Sequence, residues 1–168
     1  MAPHPDPRWK SVSEFGATAP GRPISFGDLE DLASGWSECL PESTGPGAGA
    51  LALLRTARSL FIHSWFDYEF MVIACLVSFQ AVEAAFRELY AHAVATTPFR
   101  TLVDRAERDG VLSHDVADLI RSGVDLRNPL SHPATQIEFT IELTTMTLES
   151  THGIVAGVIA PIIAASAP

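Results

Sequence analysis

The sequence has little lysine, cysteine and tyrosine, and its apolar runs are short. Lys10 is the only lysine, and 20 acidic against 11 basic residues give a formal net charge of −9. Because neutralising phosphates needs clustered cations, this balance argues against a protein whose main activity is binding duplex DNA. Two cysteines, Cys39 and Cys75, cannot form a disulfide framework, so a reducing compartment is expected.

The most apolar segments are Phe70–Phe79 and Gly153–Ala165. Each is shorter than the roughly 18 residues that a membrane span needs, and Pro161 interrupts the second. We therefore expect two buried helices, with a C-terminal membrane tail as the alternative. The N-terminus lacks the basic-then-apolar pattern of a secretion signal, so we expect a cytoplasmic protein without a membrane partner.

What the sequence does contain is enough apolar residues for one core. The 168 residues are 47% apolar and 18% charged, which is typical of a single compact domain. Prolines at positions 3, 5, 7, 20 and 23 predict a flexible tail over residues 1–26. We expect a short helix over Phe26–Leu40, which together with a Gly/Pro linker makes up a second segment, 27–49. We expect a helical domain over residues 50–168.

Apolar spacing predicts an all-α fold. The expected further helices are Ala50–Trp65, Asp67–His92, Pro98–Asp109, His114–Gly123 and Ala134–Ala165, with a break at Leu126–Pro133. The second of these carries a near-heptad stripe of Tyr68, Val72, Cys75, Phe79, Val82, Phe86 and Leu89. Only Ile137–Leu143 alternates with period two, which leaves a strand as the alternative there.

Two pairs of polar residues have the spacing of metal ligands on a helix. His63 with Asp67, and His114 with Asp118, lie four residues apart and so share a helical face. Nothing supplies third and fourth ligands in a recognisable pattern. No metal and no cofactor are therefore expected.

The segment Asp125–Pro133 contains the strongest functional signal. Asn128 followed by Pro129 suits an N-cap and first helical position, which would place Arg127 just before a helix and His132 near its first turn. Arginine, imidazole and free backbone N–H groups together suit a phosphate. Two alternatives stay open: His132 caps a helix that starts at Pro133, or Arg127 pairs with Asp125 and the segment has no catalytic role.

The residues Arg127-Asn128-x-x-x-His132 resemble the R-x-x-x-x-H motif of the HEPN superfamily ("higher eukaryotes and prokaryotes nucleotide-binding" domains). The apolar helix containing 79–90, the segment 98–106 and the helix that leads into the motif resemble HEPN-like bacterial proteins in order and spacing. The resemblance covers about residues 50–165. It implies an antiparallel four-helix bundle, here with an extra N-terminal helix, that dimerises so that two motifs share one cleft.

The resemblance also implies an activity. Many HEPN proteins are metal-independent endoribonucleases of toxin–antitoxin or phage-defence systems, and others are non-catalytic interaction or nucleotide-binding modules. By motif match, Arg127 would hold the scissile phosphate, His132 would act as general base or acid, and Asn128 would orient them. Glu83 resembles an acidic residue of many members, although a solvated glutamate is the alternative.

The resemblance implies RNA, a second copy of the chain and a cognate antitoxin or other protein as partners. A tyrosine that one toxin subgroup carries two residues after the motif histidine is replaced by Ala134, so control through that tyrosine is not expected. RNA binding would need Arg121 and Arg127 to create a basic cleft in an acidic chain. The apolar surplus of the two runs predicts a dimer interface, unless the helix around Trp36 covers it.

Overall fold

A computed structural model of the chain describes residues 4–9, 24–92, 96–130 and 140–166, without the side chains of 126–130. In these residues the regular secondary structure is entirely helical, which confirms the all-α prediction. The helices are α1 (Phe26–Gly35), α2 (Ala48–His63), α3 (Phe70–Leu89), α4 (Phe99–Arg108), α5 (His114–Leu130) and α6 (Ile141–Ser166). The strand alternative is wrong for 141–143, which begin α6, while 137–139 lie outside the described residues.

Local signals in the sequence set several helix ends. Ser25 and Asp28 form a reciprocal capping box at the start of α1, and Pro98 directly precedes α4. Gly47 precedes α2 with a φ of 81°, a left-handed conformation that favours glycine, and its N–H donates to Glu88 Oε1 at 2.7 Å. Gly110, also with a positive φ, follows α4. These positions connect the helices through short turns.

Helix α3 is the centre of the fold, with α2, α4, α5 and α6 packed around it. Of the predicted stripe, Cys75, Val82 and Phe86 are buried, whereas the other members are partly exposed, namely Tyr68, Val72, Phe79 and Leu89. A second buried row consists of smaller side chains, namely Ala74, Ser78, Ala81 and Ala85. Burial raises the pKa of the Cys75 thiol to about 12, so this cysteine is a core residue.

The core has two parts. One lies among α2, α3, α4, α5 and α6 and contains Leu54, Phe86, Leu102 and Val155. The other lies where α1 covers α2 and α3, and it contains Leu29, Trp36, Phe61 and Met71. Trp36 packs against Phe61 with ring centroids 4.9 Å apart. Helix α1 therefore covers Met71 and Ala74 of the first apolar run, and the dimer interface stays a prediction.

Residues 4–9 differ from the loose tail expected for the N-terminus. Trp9 is only 2% exposed and donates from Nε1 to the Ser64 carbonyl at 2.7 Å. Asp6 accepts from the backbone N–H of Tyr68 and from Arg8, and these interactions lower the pKa of its carboxyl group. This short segment thus belongs to the packed structure.

Helices α3 and α6 are each long and apolar enough to cross a membrane by length and composition alone. This is weak evidence, because the core helix of a soluble protein passes the same test. Met71, Cys75 and Phe86 of α3 point into the protein core, as expected for a buried helix. Of the apolar windows of the two helices, 44% in α3 and 33% in α6 is buried inside the protein, and two such helices are insufficient to indicate a membrane protein.

Candidate functional site

The structure places Arg127 and Asn128 inside a helix. Helix α5 runs from His114 to Leu130, so the predicted break at Leu126–Pro133 is wrong over 126–130, and so is the N-cap role of Asn128. The rest of that break, 131–133, lies outside the described residues. Pro129 is accommodated in the last turn, where its missing N–H removes a single intrahelical hydrogen bond close to the helix end. The side chains of Arg127 and Asn128 lie outside the described part of the chain, as does all of His132.

This position changes the electrostatic argument for Arg127. The C-terminal end of a helix carries partial negative charge and exposes carbonyl groups, whereas an anion is attracted to the N-terminal end. The end of α5 therefore stabilises a guanidinium but offers a phosphate no backbone N–H groups. Within the described residues, α5 therefore contributes no backbone N–H group to anion binding at this point.

Glu83 lies on α3, which packs against α5. Its side chain is 20% exposed, and its Oε1 accepts from Arg87 Nη2 at 2.7 Å and from Arg87 Nε at 3.0 Å. Arg87 also reaches the Thr97 carbonyl at 3.5 Å. Glu83 is thus a largely buried member of an ion pair on its own helix, and its catalytic role stays a prediction.

Asp125, which the non-catalytic interpretation paired with Arg127, has a partner on another helix. Its Oδ1 accepts from Arg100 Nη1 of α4 at 3.3 Å, and both side chains are more than half exposed. An exposed pair of this kind contributes little to stability. It does link α4 to the turn of α5 that precedes Arg127.

Arg121 does not provide the free positive charge that RNA binding was expected to use. Its guanidinium lies against carboxylates of two helices, with Asp104 Oδ1 and Asp118 Oδ1 each at 2.7 Å and Glu107 alongside. His114 Nδ1 lies 2.7 Å from Glu107 Oε1. Hydrogen bonding to these acids raises the pKa of Arg121, and the bond to Glu107 raises that of His114. This cluster joins α4 to α5 and is acidic overall.

An apolar groove lies beside the motif helix. It has a volume of about 160 Å³ and lies among α3, α5 and α6, with Phe79, Gly123, Leu143 and Met146 in its lining. Gly123 permits the close approach of α5 to α3, because a Cβ there would lie 2.5 Å from Phe79 Cε1. Met146 is 65% exposed and Leu119 is 50% exposed, so this face keeps apolar surface in contact with solvent.

Of the two polar pairs considered as metal ligands, the structure brings His114 and Asp118 together, with His114 Nε2 at 3.4 Å from Asp118 Oδ2 in the cluster around Arg121. His63 Nδ1 donates instead to the Ser59 carbonyl at 2.7 Å. Within the described ranges, no three histidine, cysteine or carboxylate side chains come together as a metal-binding group.

Sequence reasoning missed Arg58 and His152, which the fold brings together across 94 positions of the chain. Arg58 Nη1 lies 3.3 Å from His152 Nε2, and His152 is buried at 1% exposure. The one signal in the sequence was that α2 contains two arginines and no acidic residue.

Comparison with known proteins leaves the family open. The chain matches no protein-family model, no curated protein and no solved structure.

Proposed function

We propose that the chain is a metal-independent endoribonuclease of the HEPN type that works in the cytoplasm as a homodimer in toxin–antitoxin or phage defence. The observation that carries the proposal is the Arg127-Asn128-x-x-x-His132 motif, whose first two residues lie in the last turn of α5, in a chain whose described part is all-helical. The supporting context is a central apolar helix, α3, that carries Glu83 and packs on the motif helix α5. A HEPN-like antiparallel four-helix bundle is part of the same proposal.

In the proposed reaction an RNA 2′-hydroxyl attacks the adjacent phosphorus. His132 takes the 2′-hydroxyl proton as general base or protonates the departing 5′-oxygen as general acid. Arg127 holds the phosphate and stabilises the charge of the pentacoordinate transition state, and Asn128 orients these two side chains. The P–O5′ bond breaks, which leaves a 2′,3′-cyclic phosphate and a 5′-hydroxyl end.

The proposed dimer would bring two motifs into one cleft. Its interface would use the apolar face that Leu119, Leu143 and Met146 leave exposed on α5 and α6. The proposal requires the two-fold axis to lie close to the C-terminal end of α5, since only that arrangement places the ends of two α5 helices near each other. Monomers are then expected to be inactive, which light scattering combined with an activity assay measures.

Incubation of the purified chain with total RNA in a chelating buffer tests the activity. Cleavage is expected to persist in chelator, to give cyclic-phosphate ends by mass spectrometry, and to disappear in Arg127→Ala and His132→Ala. His92→Ala is the matched control, since His92 is an exposed histidine after α3. Cleavage that His132→Ala leaves intact would contradict the assignment.

A non-catalytic HEPN-like module that binds a protein or a nucleotide is the second candidate. The observation that favours it is the neutralisation of Arg121 by carboxylates in a chain of net charge −9. Intact RNA under varied salt and protein concentration, together with a stable complex with an antitoxin-like protein encoded nearby, would favour this candidate over the nuclease.

A further inference from the structure

Helix α2 carries positive charge without a carboxylate to balance it. Arg55 and Arg58 lie three residues apart and so share one face of the helix, whose sequence contains no aspartate or glutamate. In the described part of the chain neither arginine forms an ion pair, whereas other arginines do, namely Arg8, Arg87, Arg100, Arg105 and Arg121. This local excess of positive charge is unusual in a chain as acidic as this one.

Arg58 is held in place by a histidine that must be neutral. His152 Nδ1 lies 2.6 Å from the Leu148 carbonyl, which can only accept, so Nδ1 carries the proton. Nε2 is then a lone-pair acceptor, and Arg58 Nη1 donates to it at 3.3 Å. Burial, followed by the charge of Arg58, agrees with this state by lowering the pKa of His152 to about 4. Trp36 packs beside the imidazole, with ring centroids 5.8 Å apart.

A neutral acceptor fixes the guanidinium without neutralising it. Arg58 is half-buried. Burial, the largest effect, and the nearby charge of Arg55 lower its pKa, while the nearby Cys39 thiol acts in the opposite direction. Within the described residues, His152 uses one of the five N–H donors of the Arg58 guanidinium, and no other hydrogen-bond partner uses the other four. A partly desolvated cation with free donors in a planar fork is suited to an oxyanion that accepts in a bidentate manner.

We propose that Arg58 and Arg55 form a binding site for the phosphate group of a small phosphorylated ligand, with His152 as the residue that positions Arg58. The two guanidinium groups repel each other, as the effect of Arg55 on the pKa of Arg58 indicates. A phosphate dianion carries enough charge to neutralise both groups, whereas a carboxylate neutralises only one, so phosphate fits this pair better. The site lies on α2 and uses no residue of the Arg127 motif, so it stands whether or not the chain cleaves RNA.

Isothermal titration calorimetry at low salt tests the site with two probes, inorganic phosphate and adenosine 5′-monophosphate. We expect saturable binding of at least one probe, weakened about tenfold or more in Arg58→Gln. Arg108→Gln is the matched control: Arg108 is exposed, has no carboxylate partner in the described chain and donates to the Asp104 carbonyl. It should change the affinity by less than about twofold.

The two probes separate the sources of the phosphate. A nucleotide that binds more tightly than inorganic phosphate by about tenfold identifies an organic phosphate as the ligand, and equal affinities identify the free anion. If Arg58→Gln fails to fold by circular dichroism, Arg55→Gln replaces it, since Arg55 is exposed and its loss should still weaken binding several-fold.

Nuclear magnetic resonance gives a readout besides affinity. Because His152 Nε2 accepts from Arg58, phosphate binding should shift the His152 ring nitrogen signals but leave those of the distant, exposed His114 unchanged. Absence of saturable binding of either probe to the native chain up to about 10 mM would overturn the proposal. Equal losses in Arg58→Gln and Arg108→Gln would overturn it as well.

Discussion

Replacing Gly123 with alanine measures how tightly the motif helix α5 packs on α3. The new Cβ would lie 2.5 Å from Cε1 and 3.2 Å from Cζ of Phe79, so the ring or the helix must shift. Overpacking of this kind costs about 1–3 kcal/mol. Alanine also favours the helix over glycine by about 1 kcal/mol. We therefore expect the free energy of unfolding to fall by about 1 kcal/mol, as the difference between these two effects.

Gly153→Ala is the matched control, because Gly153 lies inside α6 and no atom comes within 4 Å of its added Cβ. It should raise the free energy of unfolding by about 0.5–1 kcal/mol, opposite in sign to Gly123→Ala. Urea unfolding followed by circular dichroism measures both. Adding Phe79→Leu to Gly123→Ala should restore part of the loss. If Gly123→Ala stabilises the chain as much as Gly153→Ala does, the close contact between α5 and Phe79 is refuted.

Three further predictions concern stability. Because the pKa of His152 is lowered to about 4, the folded chain binds fewer protons than the unfolded chain between about pH 4 and 6.5. The free energy of unfolding should fall by up to about 3 kcal/mol as the pH falls through this window. Urea unfolding at several pH values measures this dependence, and His152→Gln should remove it. A pH dependence that is unchanged in His152→Gln would contradict the burial of a neutral His152. Gly47→Ala, at a φ of 81°, should lower the free energy of unfolding by about 1–2 kcal/mol in thermal unfolding. Gly45→Ala, whose added Cβ meets no atom within 4 Å, should change it by less than about 0.5 kcal/mol. Equal effects of the two substitutions would argue against backbone strain at position 47. Trp9→Ala should lower the free energy of unfolding by about 3–5 kcal/mol, and Trp9→Phe should lower it by less. If both variants unfold with nearly the same free energy as the native chain, residues 4–9 do not pack in solution.

The helices were predictable because their signals are local. Apolar spacing and cap residues act within one or two turns, and they located α2, α3 and α4 to within a few residues. The burial of Cys75, Val82 and Phe86 followed from the same spacing. The second buried row of α3, with Ala74 and Ala81, did not, because alanine adds little to a hydrophobic stripe although it lets helices approach closely.

The candidate site was less predictable because it depends on contacts between distant segments. An N-cap preference is worth about 1 kcal/mol, and the packing of buried α5 residues such as Ile120 and Gly123 is enough to continue the helix through Asn128. The neutralisation of Arg121 likewise comes from Asp104 and Glu107 of a neighbouring helix. The sequence shows the charges of these residues but not which of them meet.

The two cysteines differ in solvent exposure, so their reaction with thiol reagents can be used to follow unfolding. Cys39 is exposed at the end of the segment after α1, whereas Cys75 is buried with its pKa raised to about 12. Thiol reagents react with thiolates, so the folded chain should take up one equivalent quickly and the second only as the core opens. The rate of that second labelling step reports the opening of α3 without any added probe. A dye on Cys39 would, in the same way, place a fluorophore at a single known position of the native sequence.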